Sequence, residues 1–99
     1  MWVISRKKLK DFWETPLYED SEEQLKAWYS EMNKEEWNNP NEIKAKYGNA
    51  STVGNNRIVF NICGNKYRII VQIHYEAHIV KIRFIGTHKQ YDDVDATKI

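Results

Sequence analysis

The 99-residue sequence has one cysteine, two prolines and four glycines, and it lacks any long apolar run. One cysteine can form neither an internal disulfide nor a zinc site of several thiolates. No apolar stretch approaches the roughly 18 residues of a membrane-spanning helix, and the first twelve residues, MWVISRKKLKDF, lack the apolar core of a signal peptide. We therefore expect a single cytoplasmic domain over residues 1–99, without linkers or repeats and with no membrane partner.

Acidic residues are scarce in two parts of the chain, although the formal net charge is only +1. Residues 1–10 hold four cations and no acid, and residues 51–91 hold six cations against Glu76 alone. Residues 11–36 have the opposite balance, with nine acids against two lysines. This distribution predicts a basic surface next to an acidic layer, and a basic surface suits a polyanionic partner.

Start and stop signals predict two to three helices in the first half of the chain. Ser5 is a candidate N-cap for the first helix, and the capping box SEEQ at Ser21 opens a second helix that reaches about Lys34. Asn39, followed by a proline, starts a short third helix that ends at Gly48. The four residues before Ser5 suit an edge strand, and the segments TPLYED and ASTVGNN are predicted to be loops.

The stretch RIVFNICGNKYRIIVQIHYEAHIVKIRFI alternates with the period of a strand and predicts two consecutive β-hairpins. Loops are expected at Gly64-Asn65 and at Glu76-Ala77, and because Glu-Ala is poor turn chemistry the second loop can be longer with the same parity. The facing pairs on the apolar side are Ile62/Tyr67, Phe60/Ile69, Ile58/Val71, Ile73/Val80, Val71/Ile82 and Ile69/Phe84. We expect an α+β domain with two to three N-terminal helices packed on a three- to four-stranded antiparallel sheet.

The other face of this sheet is predicted to be basic. Around an apolar strip of Val59, Ile70 and Ile85 it carries Arg57, Asn61, Arg68, Gln72, Lys81 and Arg83. Single-stranded RNA suits such a surface, because phosphates bind arginine and lysine while unstacked bases pack on aromatic rings. We interpret Arg57, Asn61, Lys81 and Arg83 as candidate RNA-binding residues.

Groups suited to RNA cleavage converge at one end of the predicted sheet, where Arg68 faces Ile85 and the tail GTHKQYDD leaves. Cleavage by the RNA's own 2′-hydroxyl needs a base, an acid for the leaving 5′ oxygen, and cations for the phosphorane. His88 or Tyr91 is the candidate for the base, and Lys66 is the candidate for the acid. Arg68 with Arg83 supplies the cations, so the set requires no metal or other cofactor.

Two other classes fit the same pattern. A non-catalytic RNA-binding or regulatory module would use the basic face alone, and a protein-interaction domain would use the acidic helices. A metal site is the weaker interpretation, because His74 and His78 flank a turn in which only Glu76 could join them. The acids of the final DDVD segment are typical of a solvated tail.

The segments VFNICGNKYRIIVQI and IRFIGTHKQYDDVDA, with SRKKLKDFWE and WNNPNEIKAKY upstream, closely resemble the HigB-type toxins of bacterial type II toxin–antitoxin systems, within the RelE-like mRNA interferase superfamily. The resemblance spans nearly the whole chain, and the motifs GNKYR and GTHxxYD carry it. It implies a RelE-like fold and a ribosome-associated endoribonuclease toxin that cuts mRNA and inhibits translation and growth. It also implies a HigA-type antitoxin that neutralises the toxin and contacts operator DNA, so that the toxin reaches DNA only indirectly.

The resemblance extends to individual residues. In RelE-like toxins an arginine on a middle strand follows a tyrosine, which matches Tyr67-Arg68, and a cationic residue is common at the position of Lys66. A late basic residue precedes a tyrosine, which matches His88 and Tyr91. RelE itself has arginine where this chain has His88, so the base stays open between His88 and Tyr91.

The antitoxin is expected to dock on the helical side and to block ribosome entry by bulk. Three tryptophans, Trp2, Trp28 and Trp37, exceed what so small a core easily buries, and interfaces favour such residues. The alternative is that the antitoxin covers the basic face.

Overall fold

The computed structural model describes all 99 residues and contains a five-stranded sheet. Its elements, in chain order, are β1 (Trp2–Ile4), α1 (Arg6–Trp13), a 3-10 helix (Pro16–Ser21), α2 (Glu22–Lys34), α3 (Pro40–Lys46), β2 (Ser51–Val53), β3 (Arg57–Ile62), β4 (Tyr67–His74), β5 (Ile79–Thr87) and α4 (His88–Asp92). The strands lie in the order β1-β5-β4-β3-β2, with β1 parallel to β5 and every other pair antiparallel. The α+β class is confirmed, but the sheet is mixed and has five strands instead of three or four antiparallel ones.

The extra strand is β2, which lies in the segment ASTVGNN that was predicted to be a loop. Its three residues pair with the first half of β3, from Ser51 opposite Val59 to Val53 opposite Arg57. Three residues are too few to show an alternating pattern, and the turn that follows is rich in glycine and asparagine. The pairing with β3 therefore decides that this segment is a strand.

A side-chain cap explains where α3 begins but not where α2 begins. Asn39 caps α3 as predicted, because its side chain accepts a hydrogen bond from the Glu42 backbone N–H at 3.1 Å. The predicted cap at Ser21 does not form, since the preceding segment is a 3-10 helix that runs directly into α2. The Ser21 hydroxyl instead donates to the carbonyl of Tyr18 at 2.6 Å. The loop predicted for TPLYED was wrong for the same reason.

The register of the first hairpin is confirmed at every facing pair, from Ile62 opposite Tyr67 to Arg57 opposite Gln72. The second hairpin starts in the predicted register around a longer loop of residues 75–78, with Ile73 opposite Val80. A β-bulge then follows, because Val71 pairs with Ile82 whereas Ile70 pairs with Phe84. The predicted pairs beyond the bulge, Ile69/Phe84 and Arg68/Ile85, were therefore wrong.

The bulge exchanges the faces of the residues that follow it. Arg83 is the extra residue, so the parity of the strand shifts by one. Phe84 is half-buried on the basic face instead of in the core, and Ile85 packs against the core instead. Gly86 consequently becomes the residue opposite Arg68.

The core lies between the helices and the opposite face of the sheet, which we call the inner face. Its buried cluster includes Leu9 of α1, Leu25 of α2, Ile43 of α3 and the inward residues of β3 to β5. Trp28 and Trp37 belong to this cluster and are only 3% and 5% exposed. The expectation that the tryptophans exceed what the core buries was wrong for Trp28 and Trp37 and is confirmed for Trp2, which is 67% exposed. No helix is long and apolar enough to span a membrane.

Candidate functional site

The face of the sheet turned away from α1, α2 and α3, here the outer face, has two polar ends separated by an apolar middle. At one end Arg68 lies between Asn61 and Gly86, and at the other Gln72 lies between Arg57 and Lys81. The middle row contains Val59, Ile70 and Phe84. With a rise of about 3.3 Å per residue, the four steps along β3 from Arg57 to Asn61 separate the two ends by about 13 Å. We call them the Arg68 end and the Arg57 end.

At the Arg68 end, the arginine lies against an aromatic ring. The guanidinium carbon of Arg68 is 4.7 Å from the ring centroid of Tyr91, a cation–π distance. The Nε atom of Arg68 is buried and has no hydrogen-bond partner in the protein. Opposite Arg68 a side chain would not fit at Gly86, where a Cβ atom would come within 2.6 Å of both Phe84 and Gln90.

The short helix α4 brings His88 and Tyr91 to this end. The Thr87 hydroxyl oxygen accepts from the Gln90 N–H at 3.1 Å, and the Gln90 side chain accepts from the Thr87 N–H at 2.9 Å, forming a capping box. The backbone N–H of His88 donates to the Lys66 carbonyl at 3.1 Å, which ties the helix to the β3–β4 loop. The rings of His88 and Tyr91 are consequently 6.5 Å apart between centroids.

The imidazole of His88 has an acidic neighbour from the segment that was predicted to be a solvated tail. Its Nδ1 atom lies 3.4 Å from Oδ2 of Asp92, one helical turn further on. A carboxylate beside one ring nitrogen orients the imidazole and leaves the other nitrogen for proton transfer. The spacing of four residues between His88 and Asp92 was the signal that could have identified this pair.

The ammonium group of Lys66 points to the helical side of the sheet, away from Arg68. It pairs with the carboxylate of Asp20 from the 3-10 helix, and the hydroxyl of Tyr67 donates to the other oxygen of that carboxylate at 2.5 Å. The hydrogen bond to Asp20 raises the pKa of Lys66, and the same bond lowers the pKa of Asp20. A raised pKa makes the ammonium a weaker acid, so this geometry does not favour the predicted role of Lys66.

At the Arg57 end, the arginines bind backbone carbonyls. Arg57 donates from Nε and Nη2 to the Ile99 carbonyl at 3.0 and 2.8 Å, and from Nη1 to the Asn55 carbonyl at 2.9 Å. Nε of Arg83 lies 3.4 Å from the same Ile99 oxygen. Three of the four predicted RNA-binding residues, Arg57, Lys81 and Arg83, thus lie away from Arg68. Only Asn61 is beside it.

Residues considered for metal or thiol chemistry lie elsewhere. Nδ1 of His78 pairs with Oε2 of Glu36 at 2.6 Å, and no three His, Cys, Asp or Glu side chains come together as a metal site would require. The thiol of Cys63 is half-buried, and burial raises its pKa. A raised pKa disfavours the reactive thiolate.

Comparisons with known proteins identify relatives along most of the chain. A family model for the HigB toxin, the RelE-like toxic component of a toxin–antitoxin system, matches residues 21–94. The chain is 30% identical over 94 residues to the mRNA interferase toxin HigB of Escherichia coli (strain K12), an alignment that covers 93% of this chain and 88% of that protein. The mRNA interferase HigB of Shigella flexneri matches with the same identity and coverage. The family match contains β3 to β5 and α4, and therefore the whole Arg68 end.

Proposed function

This chain belongs to the HigB family of RelE-like toxins, and from that premise we propose that it is an mRNA interferase that cuts mRNA on the ribosome and so inhibits translation and growth. The observation that carries the proposal is the grouping of Arg68, His88 and Tyr91 at one end of the sheet, with Nε of the arginine lacking a protein partner. The relatives named above are mRNA interferases by name, and the same activity accounts for this cluster.

Arg68 is the phosphate-binding residue in this proposal. Its planar guanidinium can donate two hydrogen bonds to phosphate oxygens, and these strengthen as charge develops on the phosphorane. The ring of Tyr91 holds the guanidinium from one side, so little ordering of Arg68 is required when RNA binds. Asn61 is the neighbour of Arg68 on β3, and because its amide nitrogen donates to the Asn49 carbonyl at 3.3 Å, its amide oxygen is the group that can accept from the adjoining nucleotide.

His88 and Tyr91 are the proton-transferring groups. The 2′-oxygen attacks the phosphorus while His88 accepts the 2′ proton, and Asp92 stabilises the imidazolium that forms. The bond from phosphorus to the 5′ oxygen breaks as that oxygen takes a proton from the Tyr91 hydroxyl. The products are a 2′,3′-cyclic phosphate and a 5′-hydroxyl end. Each proton has a donor or acceptor among the side chains, and the reaction therefore proceeds without a metal ion.

The partner in this proposal is a HigA-type antitoxin, through which the complex contacts operator DNA in the cytoplasm. We place its docking site on the helical side, where the acidic segment of residues 11–36 also exposes 80% of Leu17. Hydrogen exchange tests this placement: antitoxin should protect residues 11–36. Protection confined to residues 57–92 would show instead that it covers the basic face.

Purified protein added to translating ribosomes tests the function directly. We expect new mRNA 5′ ends inside the reading frame, produced by the wild-type protein and by a Lys89→Ala control but not by Arg68→Ala. Lys89 is an exposed cation on the same helix as His88, so the control separates loss of the site from loss of charge. If the protein binds RNA but produces no new 5′ ends, it is a non-catalytic RNA-binding module and not a nuclease.

A further inference from the structure

A pocket of about 190 Å³ opens beside the Arg68 end, at the free edge of β3. β2 pairs only with Arg57 to Val59, so the edge formed by residues 60–62 has no neighbouring strand. Side chains of α2 and of the connection after α3 form the other walls. Asn61 lines the pocket and faces Arg68 on the next strand, which places the pocket about 5 Å from the strand that carries the proposed phosphate-binding residue.

Aromatic rings and amide groups make up most of the lining. Phe60 forms edge-to-face contacts with Trp28 and Tyr47, with centroid distances of 5.4 and 5.2 Å. Three amide side chains, those of Gln24, Asn49 and Asn61, also line the pocket. Gln24 Oε1 accepts from the Cys63 backbone N–H at 2.7 Å and Asn61 Nδ2 donates to the Asn49 carbonyl at 3.3 Å, which leaves the Gln24 amide nitrogen and the Asn61 amide oxygen for a ligand. Sequence-specific recognition of single-stranded RNA uses these two kinds of group, because rings stack on a base and amides hydrogen-bond to its edge.

A donor in the wall has no acceptor. Trp28 is 97% buried and lines the pocket, yet its indole N–H makes no hydrogen bond in the protein. Buried polar groups are normally satisfied, and an indole N–H can only donate. The nitrogen itself is covered by protein atoms, so a ligand acceptor, such as a carbonyl or ring nitrogen of a base, reaches it only when a neighbouring side chain moves.

The charge of the lining selects for an uncharged ligand. No lysine or arginine lines the pocket, whereas Glu31 does, and its Oε2 accepts a hydrogen bond from the Tyr47 hydroxyl. A carboxylate without a nearby cation repels a phosphate and accepts from an amino group. The volume is also below the roughly 300–1,000 Å³ of sites for drug-sized ligands, so a base fits better than a whole nucleotide.

We propose that this pocket binds one unstacked base of the RNA substrate, preferring bases with an exocyclic amino group, and so contributes to the choice of cleavage site. The proposal rests on the function proposed above. A phosphate held by Arg68 leaves the neighbouring base free to turn over the edge of β3, with its amino group towards Glu31 and an acceptor towards Trp28. Uracil has no amino group and binds more weakly.

Two alanine substitutions provide a matched test. Ala27 and Ala45 are both exposed helical residues, and only Ala27 lines the pocket. Leucine is a good helix former, so Ala27→Leu fills the pocket and Ala45→Leu adds the same side chain elsewhere. Thermal unfolding of both variants verifies that they fold like the wild type.

The probes are the 5′-monophosphates of adenosine, cytidine, guanosine and uridine, titrated into the ¹⁵N-labelled protein. The readout is the indole N–H signal of Trp28, identified by its loss in Trp28→Phe. We expect a saturable shift with at least one amino-bearing nucleotide and a weaker one with uridine monophosphate. Ala27→Leu should weaken binding by about tenfold or more, equivalent to about 1.4 kcal/mol, and Ala45→Leu should leave it unchanged.

Several results would overturn the proposal. One is that none of the four nucleotides produces a saturable Trp28 shift, and another is that Ala27→Leu and the wild type bind with equal affinity. A third is that the antitoxin alone shifts the Trp28 signal, which would make the pocket a protein-binding site. Failure of the nuclease function is distinguishable, because nucleotide binding here does not require cleavage. A wild-type protein that shows the saturable Trp28 shift with nucleotides but cuts no RNA would refute only the nuclease.

Discussion

The two ends of the outer face carry the same kind of side chain and use it differently. Arg68 lies under the ring of Tyr91 with its Nε atom unpartnered, whereas Arg57 directs three N–H groups to the carbonyls of Asn55 and Ile99. A guanidinium with its donors unused can take up phosphate, and one already bound to carbonyls would first have to break those bonds. The local partners of an arginine, and not its presence on a basic face, decide whether it is available to a ligand.

The largest effect that distinguishes the two ends is expected on the cleavage rate when His88 is replaced, because His88 lies only at the Arg68 end. His88→Ala should lower the single-turnover cleavage rate by about 10²–10⁴-fold with little change in RNA binding, the usual contribution of a positioned base. His78→Ala is the matched control, because His78 is also exposed but pairs with Glu36 far from the site. Equal losses of binding and cleavage would make His88 a phosphate contact.

The next effect concerns the bulge in β5, which puts Ile82 on the inner face and Phe84 on the outer face. Ile82 is 2% exposed on the inner face, and Ile82→Ala should lower the free energy of unfolding by about 2–5 kcal/mol. Phe84 is partly exposed on the outer face, so Phe84→Ala should cost less than the ~3–5 kcal/mol lost at a fully buried phenylalanine. Urea unfolding measures both. A larger loss at Phe84 would mean that β5 has no bulge there.

The smallest effect is a pH dependence at the contact that holds Lys66 away from the Arg68 end. The pKa of Asp20 is lowered from 3.8 by its bonds to Lys66 and Tyr67, so its stabilising contribution is present above that value and is lost as the pH falls through the folded-state pKa. The melting temperature of the wild type should exceed that of Asp20→Asn at neutral pH, and the difference should shrink below about pH 3.8. A difference independent of pH would show that the ion pair is absent in solution. Asp11→Asn, which removes a surface pair within α1, is the control.

The parts of this molecule that follow from local pattern could be predicted from the sequence, and those that depend on remote partners could not. Alternation was enough to place Tyr67 inside and Arg68 outside, because one hairpin loop determines which residues face each other. The bulge at Arg83 cannot be recognised from the alternation within β5, since it is visible only when the residues of β5 are matched one by one with those of β4. Asp20 lies 46 residues from Lys66, and no local signal connects them.

The same distinction applies to the site. The spacing of His88 and Tyr91 brings both to one turn of helix, and the sequence predicted that they lie near Arg68. Arg57 was predicted to bind RNA, because nothing in the sequence indicates that its guanidinium binds the Ile99 carbonyl 42 residues away.

The most direct test of the account is single-turnover RNA cleavage and thermal unfolding of Arg68→Ala and Arg57→Ala, measured side by side. We predict that Arg68→Ala lowers cleavage by about 10²–10³-fold and barely changes the melting temperature, because it removes a transition-state contact and no core contact. Arg57→Ala should leave cleavage nearly unchanged and lower stability by about 1–2 kcal/mol, since it removes bonds to backbone carbonyls. Equal loss of cleavage in the two variants, or a folded Arg68→Ala protein with full activity, would contradict the division of the outer face into a catalytic and a structural end.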